Sequence, residues 1–316
     1  MAVKLLIFPP EDERLPERIR AAVPGVEVVV AHDQDEALRE IVDADAVYGR
    51  VDRDLLAAAR RLRWIQSPVI GLERTMFPEL IEHPVILTNP RGIFADDIAD
   101  HVMALVTGFA RQIPRLIRFQ LQHRWEPRDY RVMHLPDCTL GIVGLGGIGS
   151  AVAKRASAFE MRVIAVDARR TEAPPEVSAL WPPSQLFDLL GQSDFVVICA
   201  PETPETRGLF DTAAFRAMKP TAYLINVGRG RIVRLDALVE ALRAGELAGA
   251  GLDVFEIEPL PPDHPLWDME NVVITPHVAG VGPYTAERRH QVLLENLRRF
   301  VANEPLLNVV DKARWF

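Results

Sequence analysis

The chain has 316 residues, 48% of them hydrophobic and 25% charged, which suits a globular protein large enough for two domains. Its net charge of -8 argues against nucleic acid or an anionic membrane as the main partner, although local amides and arginines can still hold an anionic cofactor. The two cysteines, Cys138 and Cys199, lie beside apolar runs and offer neither a disulfide framework nor zinc spacing, so buried reduced thiols and no metal site are expected.

From the N-terminus, residues 4–8, 26–30, 46–48 and 63–66 are short β-rich runs, separated by helical patterns such as 35–41 and 52–61. The first run meets Pro9-Pro10 and then Glu11-Asp12-Glu13, too short and too acidically flanked for a signal peptide. No apolar segment approaches the roughly 20 residues that span a bilayer, so a cytoplasmic protein is expected. Strands separated by helices predict βαβ units and a parallel sheet, giving a first α/β domain over about residues 1–98. A long helical stretch follows over 96–122, with Val102, Leu105, Val106 and Phe109 at helical spacing and Pro114 expected to kink or break it. Residues 125–136 read as irregular. A second alternation then begins, with six candidate strands at 139–144, 162–167, 195–200, 222–227, 249–255 and 272–275, which together predict a doubly wound sheet. One more helix, 285–302, has Val292, Leu293, Leu297 and Phe300 as its apolar side.

The strongest local motif is Gly144-Leu145-Gly146-Gly147-Ile148-Gly149, which follows the apolar strand and opens a helix over 148–159. In that context the glycines serve a tight turn, close approach of backbone to pyrophosphate, and close packing of helix on strand. The helix N-terminus then offers free N–H groups to phosphate. A glycine-rich turn alone would be weak grounds for a cofactor, but the next strand ends at Asp167, placed to accept hydrogen bonds from the adenosine ribose of NAD. Arg169 and Arg170 lie just beyond and would suit the 2′-phosphate of NADP, or simply a solvated loop. NAD is favoured, with NADP possible.

Three later strands run into loops bearing Arg229, Glu258 and His277. In an open α/β sheet, ligands bind outside the carboxyl ends of the strands, so these residues sit at the edge where a nicotinamide would lie. Reduction of a keto acid needs a group for the carboxylate and carbonyl, which the planar guanidinium suits, and a proton donor, which histidine suits. A carboxylate behind the histidine favours imidazolium and fixes the ring. Singly, each residue reads as a surface arginine, a surface acid or a satisfied histidine; together at three strand ends they read as a catalytic set.

Those residues lie in segments that resemble the D-isomer-specific 2-hydroxyacid dehydrogenases: Asn226-Val227-Gly228-Arg229-Gly230, the run from Gly251 to Pro261, and Thr275-Pro276-His277-Val278-Ala279-Gly280. Pro204-Glu205-Thr206-Arg207-Gly208 and Glu304-Pro305-Leu306-Leu307-Asn308 are similar to the family too. The resemblance implies a Rossmann-type doubly wound parallel sheet over 99–284, binding the dinucleotide, and a smaller flavodoxin-like α/β substrate domain over 1–98 and 285–316. It implies an NAD-dependent enzyme acting on a small 2-keto or 2-hydroxy acid, with Arg229, Glu258 and His277 catalytic. It adds Asp253 as a contact to the nicotinamide carboxamide, and Pro201 and Thr206 join Gly144, Gly146, Gly147, Ile148, Gly149 and Asp167 as expected cofactor-binding residues. The substrate-carboxylate loop corresponds to residues 66–72, with the amides of Ile70 and Gly71 binding alongside Arg229. Val69 and Ile70 replace the small residues that relatives often carry there, so the acid itself stays open among glyoxylate, hydroxypyruvate, phosphoglycerate-like and bulkier substrates. Arg50 is near enough in register to touch a substrate anion, or is a surface arginine. A homodimer formed through residues near 100–135 is expected, with Trp125 either reaching the neighbouring subunit's site or packing within its own arm. The competing reading is an NAD-sensing corepressor of the same fold, which the absence of partner-binding tails disfavours.

Overall fold

A computed structural model describes residues 2–72, 75–126, 130 and 132–313. The chain divides into two compact units, Met1–Ile93 with Pro283–Phe316, and Phe94–Gly282.

In the first unit the elements are β1 (Val3–Phe8), α1 (Leu15–Ala22), β2 (Val26–Val30), α2 (Gln34–Glu40), β3 (Ala46–Gly49), α3 (Arg53–Ala58), β4 (Trp64–Gln66), α4 (Pro78–Glu82) and β5 (Ile86–Thr88). The five strands pair in the order β2-β1-β3-β4-β5, all parallel. The middle strands are apolar on both faces because helices cover both sides of a parallel sheet. Short helices start where a side chain can satisfy free amides: Asp33 accepts from Glu36 N–H and Asp52 from Leu55 N–H.

The second unit contains α5 (Ala95–Ala110), α6 (Ile113–Leu121), β6 (Thr139–Val143), α7 (Gly147–Ala158), β7 (Arg162–Val166), β8 (Ala179–Trp181), α8 (Leu186–Gln192), β9 (Phe195–Ile198), α9 (Thr212–Ala217), β10 (Tyr223–Asn226), α10 (Leu235–Ala244), β11 (Gly249–Leu252) and β12 (Val272–Ile274). Its seven parallel strands run β12-β11-β10-β9-β6-β7-β8. The chain winds outward from β6 in one direction and then from β9 in the other, which makes the β6–β9 junction the switch point of a doubly wound sheet. Side chains of α5 and α7 fill one face, and those of α8, α9 and α10 fill the other. The last helix, α11 (Thr285–Ala302), belongs to the first unit, where Leu293, Leu297 and Phe300 pack with Leu5, Ile19 and Trp64.

One feature differs from expectation, and the break expected near Pro114 is found. Strands β5 and β8 have three residues each, too few to display a period, and they form because a neighbouring edge offers backbone partners. The stretch over 96–122 is two helices. The break falls at Gln112, in a left-handed conformation, and Pro114 sits in the first turn of α6, where a missing N–H costs nothing. Within residues 125–136, positions 127–129 and 131 lie outside those described.

Candidate active site

The glycine loop is built at the carboxyl end of β6. Gly144 has φ +95°, and a Cβ there would lie 2.7 Å from the Ala200 nitrogen, so the turn admits only glycine. A Cβ on Gly149 would meet the Gly144 carbonyl oxygen, which is the price of seating α7 directly over the turn. Gly146 and Gly147 face open space, and no side chain caps the helix, so its first amides remain available to an anion. Ile148 lies in that first turn and packs partly against the α5–α7 core. These features fit a dinucleotide pyrophosphate. Asp167 follows β7 as expected. Its Oδ2 accepts from Leu145 N–H at 2.7 Å, and its Oδ1 accepts from Arg169 and Arg170 N–H at 2.8 Å each. The Arg170 guanidinium folds back to donate to Ser150 Oγ at 2.8 Å, on the first turns of α7. The Thr206 hydroxyl donates to the Pro201 carbonyl at 2.8 Å and ties the turn after β9.

Arg229, Glu258 and His277 follow β10, β11 and β12 within this unit. The strands are in register, with Asn226 opposite Ile198 and Leu252, and Leu252 opposite Ile274, so their loops emerge at one edge. The loops touch closely. A Cβ on Gly230 would lie 1.9 Å from the Phe255 carbonyl carbon, so the arginine loop rests on the backbone that leads to Glu258. Asn226 shapes that loop by accepting from Gly228 N–H and donating to the Arg229 carbonyl. Glu258 uses Oε1 to accept from Phe255 N–H at 3.0 Å and Oε2 to hold His277 Nδ1 at 2.8 Å. The imidazole is half exposed, 51% for its side chain, whereas Glu258 is more enclosed at 26%. With Nδ1 engaged, Nε2 is left to exchange a proton with a ligand. His277 adopts φ +55°, a left-handed conformation that costs a non-glycine residue about 1–2 kcal/mol and persists only where surrounding bonds impose it.

A family model described as D-isomer specific 2-hydroxyacid dehydrogenase, NAD binding domain, matches residues 103–279. The chain belongs to this family. A glyoxylate reductase of Korarchaeum cryptofilum is 36% identical over 87% of this chain and 85% of its own. A D-3-phosphoglycerate dehydrogenase of Archaeoglobus fulgidus is 32% identical over 98% of this chain and 59% of its own. Among solved structures, an NADPH-dependent glyoxylate/hydroxypyruvate reductase of Sinorhizobium meliloti, in complex with NADP and sulfate, superposes with TM-score 0.86 at 29% identity, covering 99% of this chain and 100% of its own. The dehydrogenase is thus an NAD(P)-dependent oxidoreductase acting on small 2-keto and 2-hydroxy acids. The comparisons lend nothing to the corepressor alternative.

In the other unit, the loop over 66–72, expected to bind the substrate carboxylate, follows β4. Ser67 is buried, and its hydroxyl accepts from Val69 N–H and donates to the Val69 carbonyl, while Asn89 donates to the Ile70 carbonyl at 3.4 Å. The amides of Ile70 and Gly71 donate to no acceptor among the described residues, which leaves them available to a ligand carboxylate. Arg50, after β3, is exposed. Glu202 escaped the sequence reading, as did the bonds that hold the expected Asp253. Glu202 is buried and pairs with Arg207 at 2.6 Å across the turn that carries Thr206. Asp253 is only 2% exposed, and its carboxylate accepts from Thr275 Oγ1 and from the amides of Val278 and Ala279. A charge so enclosed leaves no solvation signal in a sequence; only its partners reveal it.

Proposed function

We propose that this dehydrogenase reduces glyoxylate, hydroxypyruvate or another small 2-keto acid, with Arg229, Glu258 and His277 as its catalytic residues. The observation that carries the reading is the 2.8 Å bond between Glu258 Oε2 and His277 Nδ1, at the same strand-end edge as Arg229. Arg229 binds the substrate carboxylate and polarises the keto oxygen through its fork of donors. A nicotinamide held by the glycine loop would, when bound, supply the hydride. His277 delivers a proton from Nε2 to the oxygen as negative charge grows there, and its half-exposed ring recovers a proton from solvent. Glu258 orients the ring and stabilises the imidazolium. The amides of Ile70 and Gly71 hold the carboxylate, a task that the side chains of Val69 and Ile70 leave intact. Asp253 is read with the cofactor-binding set, alongside Gly144, Gly146, Gly147, Ile148, Gly149, Asp167, Pro201 and Thr206.

Both coenzymes are accepted in this reading. Asp167 disfavours a 2′-phosphate, but two backbone N–H groups and the adjacent Arg170 guanidinium offset its charge, and the Sinorhizobium meliloti reductase is itself NADPH-dependent. A homodimer is supported by α6, which exposes Ile113, Ile117 and Leu121 at helical spacing, followed by Trp125 at 95% exposure. Trp125 is not packed within its own arm, and it is proposed to contact the neighbouring subunit's site. Cytoplasmic residence suits thiols that burial holds protonated, with Cys138 pushed up to about 11 and Cys199 to about 12; among the described residues no helix is long and apolar enough to cross a membrane. A panel of 2-keto acids assayed with NADH and NADPH at the nicotinamide absorbance tests the reading. Turnover should be greatest with two- and three-carbon acids; turnover of bulky keto acids alone would refute the substrate class.

A further inference from the structure

His277 holds a strained conformation, and the bonds that impose it can be followed outward from the loop. Its own N–H donates to the Asp253 carbonyl at 2.9 Å and to the Thr275 carbonyl at 3.0 Å. The next two amides, Val278 and Ala279, donate to the Asp253 carboxylate at 2.9 and 3.0 Å, one to each oxygen. The Thr275 hydroxyl donates to Asp253 Oδ1 at 2.6 Å, a short, charge-assisted bond. That hydroxyl has a single proton and spends it on Asp253. The imidazole Nε2 of His101, 3.1 Å away, must therefore be the donor to Thr275 Oγ1, which settles that Nε2 carries a hydrogen.

His101 lies on α5, whose position is independently set. Gly251 of β11 leaves room for Leu105 and Phe109, so α5 lies close against the sheet. Arg155 of the glycine-loop helix α7 reaches Asp100 at 2.6 Å and Asp96 at 3.1 Å on the same helix. One rigid helix thus carries both the anchor for the cofactor helix and the anchor for the histidine loop. We infer that His101, acting through the Thr275 hydroxyl and the Asp253 carboxylate, is a positioning residue that holds the His277 loop in its proton-delivering conformation. The inference rests on His277 being the proton donor. It adds a second task to Asp253 beside its place in the cofactor-binding set: with three donors bound and almost no exposure, the carboxylate shapes the loop.

The test compares Thr275→Val and His101→Met with Thr275→Ser and His101→Gln, measuring kcat, KM for glyoxylate and the Kd for NADH, with His277→Ala alongside. Valine removes the hydroxyl at constant shape; glutamine places an N–H close to the original Nε2. Thr275→Val and His101→Met should each lower kcat by tenfold or more while the Kd for NADH changes less than threefold. Thr275→Ser and His101→Gln should recover kcat to within threefold of wild type, a rescue that loss of packing would not produce. The double variant His101→Met/Thr275→Val should be no slower than Thr275→Val alone, since the histidine then has nothing to hold. Wild-type kcat in both non-conservative variants, with His277→Ala inactive, would overturn the inference and leave the proton donor standing. A raised Kd for NADH at unchanged kcat would also overturn it, returning Asp253 and its partners to the coenzyme. Near-normal turnover by His277→Ala would instead remove His277 as the proton donor, and with it the premise on which the inference rests. Should Thr275→Val fail to fold, the comparison of His101→Met with His101→Gln decides alone.

Discussion

At the scale of single residues, the proposed site separates groups that would meet the ligand from groups that hold them. His277→Ala should lower kcat for reduction by about 10²- to 10⁴-fold while leaving the Kd for NADH nearly unchanged, because the lost group moves a proton and binds no coenzyme. Turnover close to wild type would remove it from the mechanism. Arg229→Lys keeps the charge but loses the planar fork, so kcat/KM should still fall severely; full efficiency would leave the arginine a structural role only. Coenzyme choice is proposed to be a balance between Asp167 and Arg170. Arg170→Ala should cut kcat/KM for NADPH by about tenfold, the scale of one charged hydrogen bond, with a much smaller effect on NADH. Equal effects on the two coenzymes would show that Arg170 merely braces the glycine loop through Ser150.

At the scale of elements, the loop proposed to bind substrate starts at Gln66, which belongs to a buried polar network. Asn296 of α11 is fully buried and donates to Gln66 Oε1 at 2.9 Å and to the Leu307 carbonyl, and its own oxygen accepts from Leu307 N–H at 2.7 Å. Thr88 donates to the same Gln66 oxygen, and Trp64 donates to Thr88. Asn296→Ala would strand several of these groups, so denaturant unfolding should show a loss of roughly 3 kcal/mol; a loss below about 1 kcal/mol would mean the network relaxes around the gap. The same helix carries His290, buried, with Arg18 Nη1 at 3.1 Å and Asp12 at 3.8 Å from its Nδ1. Burial first, and the Arg18 cation second, hold its pKa below the ordinary 6.5. The unfolded chain therefore binds a proton that the folded state refuses. The stability this group contributes is present above 6.5 and falls as pH drops through that value toward the folded pKa. His83, also shifted down by burial, has the same sign. The melting temperature should decline from about pH 7 to about pH 5, and His290→Gln should flatten that slope; an unchanged slope would locate the titration elsewhere.

At the scale of the whole molecule, an exposed apolar stripe runs along α6 and just beyond it, at Ile113, Ile117, Leu121 and Trp125. Ile117→Asp combined with Leu121→Asp should convert a dimer to monomers in light scattering after gel filtration, since an interface core tolerates carboxylates poorly. A dimer that survives both changes would place the interface elsewhere. Trp125→Ala should raise KM for hydroxypyruvate and leave the Kd for NADH alone; an unchanged KM would confine Trp125 to the arm surface.

The α/β class, the glycine loop with Asp167, and the three strand ends bearing Arg229, Glu258 and His277 are legible in the amino-acid sequence alone. These signals are local: an apolar run, a turn that only glycine enters, a charged residue just past a strand. In a parallel sheet all such ends share one edge, so listing them in chain order already gathers them in space. The fold, and no local pattern, sets the three-residue strands β5 and β8, whose backbone bonds come from neighbours already in place. It alone decided where the carboxylates of Asp167 and Asp253 spend their accepting capacity, because each choice is made by whichever amides the fold brings within 3 Å. His101 and Thr275 stand 174 residues apart, and Gln66 and Asn296 stand 230 apart. No periodicity or spacing links positions so distant, and a hydrogen bond between them exists only once the intervening sheet has closed the gap.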